Sequence, residues 1–83
     1  MAVEQKVREY ILENYLFTDD QSTLKNEDSF LEKGIIDSTG ILEVIYFIEE
    51  DFAIKVSDEE MVPENLDSVN NIVKFIEKKQ NAG

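Results

Sequence analysis

The 83-residue chain has no cysteine and no histidine. Cys–His and Ser–His–Asp catalysis are therefore excluded within it, as are thiolate and imidazole zinc sites. No disulfide can brace the fold, and a chain this short buries only roughly 60–65% of its unfolded surface. Its three glycines make no glycine-rich phosphate loop. Asp19-Asp20 and Asp58-Glu59-Glu60 lack the spacing of a calcium loop, so no metal site is expected. Cations are scarce: eight Lys and Arg stand against nineteen Asp and Glu, a net charge of −11. Too few remain to neutralise phosphates, so no nucleic-acid partner is expected. An anionic membrane would repel the chain, and no apolar run approaches the ~20 residues of a membrane helix. The first residues, Met1 to Lys6, lack the apolar core of a signal peptide. A cytoplasmic, monomeric protein is expected, with basic surfaces as its natural partners.

Against these absences stand apolar residues spread along the chain at 42%, which argues against disorder. Val3, Val7 and Ile11, with Tyr10 and Tyr15, follow the helical period and predict a helix over 3–16. Glu4 and Arg8 stand i,i+4 in the order that favours an ion pair. Residues 18–36 form a long loop that Leu24, Phe30, Leu31, Ile35 and Ile36 should pin to a core; Gly34 marks a turn in it. A second helix is predicted over 38–52, with Asp37 or Ser38 as its N-cap. Ile41, Val44, Ile45, Ile48 and Phe52 give it one buried stripe. Ser57 and Glu60 make a capping box, and Pro63 allows only a short helical turn around 58–66. A last helix runs from Val69 to about Lys79, capped by Asp67 or Ser68. Val69, Ile72, Val73 and Ile76 face its core, and Asn81-Ala82-Gly83 fray beyond it. No β pattern, repeat or linker interrupts this order. The expectation is one all-α domain over 1–83, a small four-helix bundle with three main helices, one short helix and a long first loop.

The second helix carries another face. Thr39, Leu42, Glu43, Tyr46, Glu49 and Glu50 share one side at helical spacing. That mixture of apolar and acidic side chains suits a basic partner, and it equally suits an ordinary solvated helix edge.

The run Gly34-Ile35-Ile36-Asp37-Ser38 leads straight into this acidic helix, which ends Glu49-Glu50-Asp51-Phe52. Here the chain resembles the acyl carrier protein family, including its peptidyl and aminoacyl relatives, over essentially its whole length. The signature is G-x-x-D-S followed by an amphipathic acidic helix. An Asp-Ser pair alone carries no signal: Asp67-Ser68 lacks the glycine motif and reads only as a helix cap. The resemblance implies that Ser38, behind the motif residue Asp37, receives 4′-phosphopantetheine from coenzyme A through a phosphopantetheinyl transferase. It implies that the second helix is the recognition helix, with Glu43, Glu49 and Glu50 meeting basic patches and Leu42, Tyr46 and Val56 making apolar contacts beside them. Two positions depart from the family pattern. Thr39 replaces the usual leucine after the serine, and Gly40 follows it, weakening the first turn by roughly 0.5–1 kcal/mol relative to Ala.

The resemblance thus implies a stand-alone, non-catalytic carrier. It would tether an acyl or aminoacyl group as a thioester, be loaded by a ligase or acyltransferase, and present its cargo to downstream synthases. Fatty or polyketide acyl groups are the default cargo and amino acids follow. No residue points specifically to D-alanine. An acidic helical adaptor without a prosthetic group explains the charge and the helix face equally well, but not the motif joined to the long pinned loop.

Overall fold

The structure, a computed structural model, describes residues 2–82. Helix α1, Ala2–Ile11, buries Val7 and Ile11. The helix predicted over 3–16 continues, but its last turn, Leu12–Leu16, is a wider π-helical turn. Both Phe17 and Thr18 then donate their backbone N–H to the Leu12 carbonyl. Phe17 closes the turn in the left-handed conformation, at φ 54° and ψ 43°. For an L-residue with a bulky side chain that conformation costs about 1–2 kcal/mol.

The i,i+4 pair expected on α1 does not form. Glu4 instead accepts from the Asn26 side-chain amide. Arg8 donates to Asn26 Oδ1 at 2.6 Å and to the Gln21 side chain and carbonyl at 3.0 and 2.8 Å. An exposed helix pair is worth only a few tenths of a kcal/mol, and a guanidinium fork finds more acceptors on the loop. Asn26 is also reached from the far side, where its carbonyl accepts from the Asn70 N–H at 3.0 Å.

Of the five residues expected to pin the long loop, Leu24, Phe30 and Ile36 are buried and Ile35 is half-buried, whereas Leu31 is 40% exposed and faces the surface instead. Phe30 is held by its backbone as well. Its N–H donates to the Asp67 carbonyl at 2.8 Å, and its own carbonyl accepts from Ile35 and Ile36 at 2.9 and 3.3 Å. The Asp67 carboxylate accepts from the Ser29 hydroxyl and from the Leu31 N–H. Gly34 turns the chain at φ 69°, with open space where a side chain would stand, so only its dihedral requires glycine.

Helix α2, Ser38–Phe52, lies where the apolar stripe placed it. Val44, Ile45 and Ile48 are buried; Ile41 and Phe52 are half-buried at the ends. It runs antiparallel to α1. Lys6 Nζ lies over the Phe52 ring, Tyr10 stacks on Phe47 with centroids 4.0 Å apart, and the Tyr15 hydroxyl meets Gly40.

The short turn expected around 58–66 is two turns. Asp58–Glu60 is a 3₁₀ turn and Pro63–Leu66 is helix α3, with Pro63 at its first position. Val62 between them is extended, at φ −124° and ψ 152°, as a residue before proline must be. The capping box at Ser57 and Glu60 is present. Helix α4, Val69–Ala82, packs on α1 and α3. It passes the expected end at Lys79 and includes Asn81 and Ala82; Gly83 lies outside the described residues. Its buried face is Val69, Ile72, Phe75 and Ile76, with Val73 half-buried, so the face is turned toward Phe75. The described residues form an all-α bundle of three long helices and one short one, without strands.

Glu60 links the capping box to α4. Its carboxylate accepts from the Ser57 N–H at 3.0 Å and pairs with Lys79 Nζ at 2.9 Å. The Ser57 N–H, then Lys79, hold its pKa down to about 2. A carboxyl depressed in the folded state stabilises above its unfolded value and loses that contribution as pH falls toward the folded one. Wild type should therefore melt above Glu60→Gln at pH 7, and the gap should close between about pH 4.5 and pH 2. A gap that persists unchanged at pH 2 would contradict this assignment.

Candidate functional site

The start of α2 settles which of two adjacent residues caps the helix. Asp37 is the N-cap, extended at φ −92° and ψ −179°, and its Oδ1 accepts from the Gly40 N–H at 2.7 Å. Ser38 is therefore the first helical residue. It is exposed, and its hydroxyl has no hydrogen bond among the described residues. At the other Asp-Ser pair the roles are exchanged. Ser68 is buried and caps α4, its Oγ accepting from the Asn71 N–H at 3.1 Å, while Asp67 ties down the loop. One serine is consumed by the fold, and the other is left to solvent.

The first turn of α2 is clamped from α1. The Tyr15 hydroxyl lies 3.2 Å from the Gly40 carbonyl oxygen and 3.0 Å from Glu43 Oε2. Burial, with Tyr10 and Glu43 beside it, pushes the phenol far above the ordinary tyrosine range, so it remains a donor. Gly40 also lets Ile36 pack close against this turn. A Cβ there would stand 2.8 Å from Ile36 Cγ2 and 3.4 Å from both Asp37 Oδ1 and the Tyr15 ring. The glycine that departs from the family pattern serves a close contact within the protein. Ile36 is buried and β-branched, so it cannot easily turn aside. Gly40→Ala should therefore destabilise by about 1 kcal/mol, the overpacking cost of 1–3 kcal/mol exceeding the propensity gain of up to ~1 kcal/mol. A rise in melting midpoint would refute the contact.

The other predicted residues divide. Thr39, Leu42, Glu43, Tyr46 and Glu50 are exposed along one side of α2, with Leu42 at 51% and Tyr46 at 69%. Glu49 is half-buried, and its carboxylate accepts from the Val56 N–H at 3.0 Å. Val56 itself is 8% exposed. It stands in the core behind the face, because that hydrogen bond folds the chain after α2 inward. Beside Ser38 lies a groove of about 230 Å³, walled by Leu31, Ile41, Met61, Val62, Pro63 and Leu66. Motif reading gave no notice of it, since its walls come from three separate segments. Among the described residues no cluster of acidic side chains is arranged to hold a metal ion.

No family model matches the chain. Similar proteins do cover it. A D-alanyl carrier protein of Streptococcus uberis is 39% identical over 82 residues, 99% of this chain and all of the relative. D-alanyl carrier proteins of Streptococcus pyogenes, serotypes M5 and M1 among them, are 37% identical over the same share of both chains. Identity of that extent, end to end, goes with a shared fold and agrees with the helical order and loop described above. The chain belongs to the acyl carrier family, as one of its discrete, stand-alone carrier proteins.

Proposed function

We propose that this carrier bears 4′-phosphopantetheine on Ser38 and that its cargo is a D-alanyl group. The observation that carries the site is the division of labour at the helix start: Asp37 caps α2, so Ser38 presents an unused hydroxyl. The surroundings fit the group. The N–H groups of Ser38 and Thr39 are among the unpaired donors of a helix start, and the positive end of the dipole favours a phosphodiester anion there. The groove leaves room beside the hydroxyl. In the transfer, Ser38 Oγ forms a bond to the pantetheine-side phosphorus of coenzyme A as the pyrophosphate bond breaks. Adenosine 3′,5′-bisphosphate leaves, and the hydroxyl proton passes to a base on the transferase. The bound arm supplies a thiol, which holds the cargo as a thioester. The names of the full-length relatives support D-alanine over the fatty acyl default.

The partners in this reading are a phosphopantetheinyl transferase, an adenylating ligase that loads D-alanine, and a downstream acyl-accepting enzyme. All would meet the acidic face of α2 through basic surfaces. The chain itself performs no catalysis, and its place is the cytoplasm, where coenzyme A and ATP are found. No helix among the described residues is long and apolar enough to cross a membrane. The test is intact mass. Incubation with coenzyme A and a broad-specificity transferase should add one phosphopantetheine group, mapped to Ser38. A D-alanine-activating ligase with ATP and D-alanine should then add one alanyl group. No first gain, with a known carrier modified alongside, would leave an adaptor without a prosthetic group. Loading by fatty acyl enzymes but not by the D-alanine ligase would overturn the cargo.

A further inference from the structure

Five large apolar side chains stand exposed among the described residues: Phe17, Leu31, Leu42, Tyr46 and Val62. Leu31 and Val62 belong to the groove beside Ser38. Leu42 and Tyr46 continue the Ser38 row along α2, four and eight residues on. Phe17 is the most exposed, at 82%, and no helix-face argument accounts for it. It sits two residues beyond Tyr15, whose hydroxyl rests against Gly40 and Glu43. Because α1 and α2 are antiparallel, its ring stands at the Ser38 end of the bundle. The fold alone would choose another residue here. A helix end in the left-handed conformation favours glycine or asparagine, and an aromatic ring in water gains nothing by burial.

Charge narrows what the ring meets. From Glu9 to Leu24, and again from Gly34 to Ile54, there is no lysine or arginine; the two segments carry four and five acidic residues. An apolar anchor on a chain of net charge −11, in one of two segments without cations, is complementary to an apolar socket rimmed by cations. The enzyme that modifies Ser38 must bring its own phosphate donor within bonding distance of the hydroxyl, so its footprint has to cover this end of the bundle. A loading enzyme, met through a long arm, has no such obligation.

We propose that Phe17 is an anchor for the phosphopantetheinyl transferase, its ring seated in an apolar, basic-rimmed socket at the Ser38 end of the bundle. This rests on Ser38 being the modified residue. The test is steady-state kinetics of phosphopantetheine transfer from coenzyme A to the apo-protein, for wild type and for Phe17→Gly, Phe17→Asn and Phe17→Tyr. Truncating an aromatic anchor should raise KM for the carrier about tenfold in Gly and Asn, with kcat within about twofold. Tyr, which keeps the ring, should restore a KM near wild type. The melting midpoints of Gly and Asn should equal or exceed that of wild type, which separates lost docking from lost fold. An unchanged KM in both variants, with wild type modified normally, overturns the anchor and leaves the Ser38 reading standing. Failure of wild type to be modified overturns both. Two variants guard against one failing to fold.

Discussion

Ser38→Ala should gain no mass with coenzyme A and a phosphopantetheinyl transferase, whereas wild type should gain one phosphopantetheine group. Its melting midpoint should stay close to wild type. The chemical effect is complete because a methyl group offers no oxygen to the phosphorus. The structural effect is small because the cap belongs to Asp37. Reading either residue as the cap would have assigned the serine a loss of ~1 kcal/mol. The structure moves that loss to Asp37→Ala, which should lower the midpoint by roughly 4–8 °C for each kcal/mol in a domain of this size. Ser38→Ala changes an exposed side chain without a bond and should lie within about 0.5 kcal/mol of wild type. Labelling retained in Ser38→Ala, or a stability loss in it as large as in Asp37→Ala, would refute this division.

The largest effect on stability is expected from Phe30→Ala. The ring is completely buried, and the backbone on either side of it joins the loop to Asp67 and to Ile35-Ile36. Removing a core phenylalanine costs about 3–5 kcal/mol. A chain of this length has about 4–12 kcal/mol in all, at roughly 0.05–0.15 kcal/mol per residue. The variant should therefore be near the edge of folding, with a denaturation midpoint far below wild type. Its neighbour Leu31 provides the comparison. It is 40% exposed on the groove, and Leu31→Ala should cost under about 1 kcal/mol. Similar losses in the two variants would mean that the loop is not built around Phe30. Phe30→Ala should also loosen the segment that delivers Ile36 and Asp37 to the start of α2, so slower modification of Ser38 should accompany the loss.

What could be read from the residues, and what could not, follows a physical line. Helix α2 was legible because one apolar stripe and one polar start specify it locally. The exposed hydroxyl was legible through the motif, but its freedom was not. Asp and Ser are equally good caps in sequence, and only the extended backbone at Asp37 decides between them. The loop announced itself as pinned through Leu24, Phe30 and Ile36. The means of pinning were hidden, because Asp67 and Asn26 act on residues far away in the chain. Phe75 and Val73 both lie beside the Ile72 and Ile76 row, and only the position of the neighbouring helices makes Phe75 the buried one. The π-helical turn at Leu12–Leu16 uses residues that would serve an ordinary helix equally well. The family resemblance implies a contact role for Val56, but the hydrogen bond from its N–H to Glu49 accompanies an inward turn that buries it.

The capping arrangement at the start of α2 also bears on how a shuttle can be read by the enzymes it visits. Because no internal bond among the described residues depends on the Ser38 hydroxyl, esterifying it removes no hydrogen bond from the folded state. The empty, armed and laden forms should then share one scaffold. A visiting enzyme that must tell an incoming carrier from a spent one gains no cue from the shape of the bundle, and has to inspect the tip of the arm.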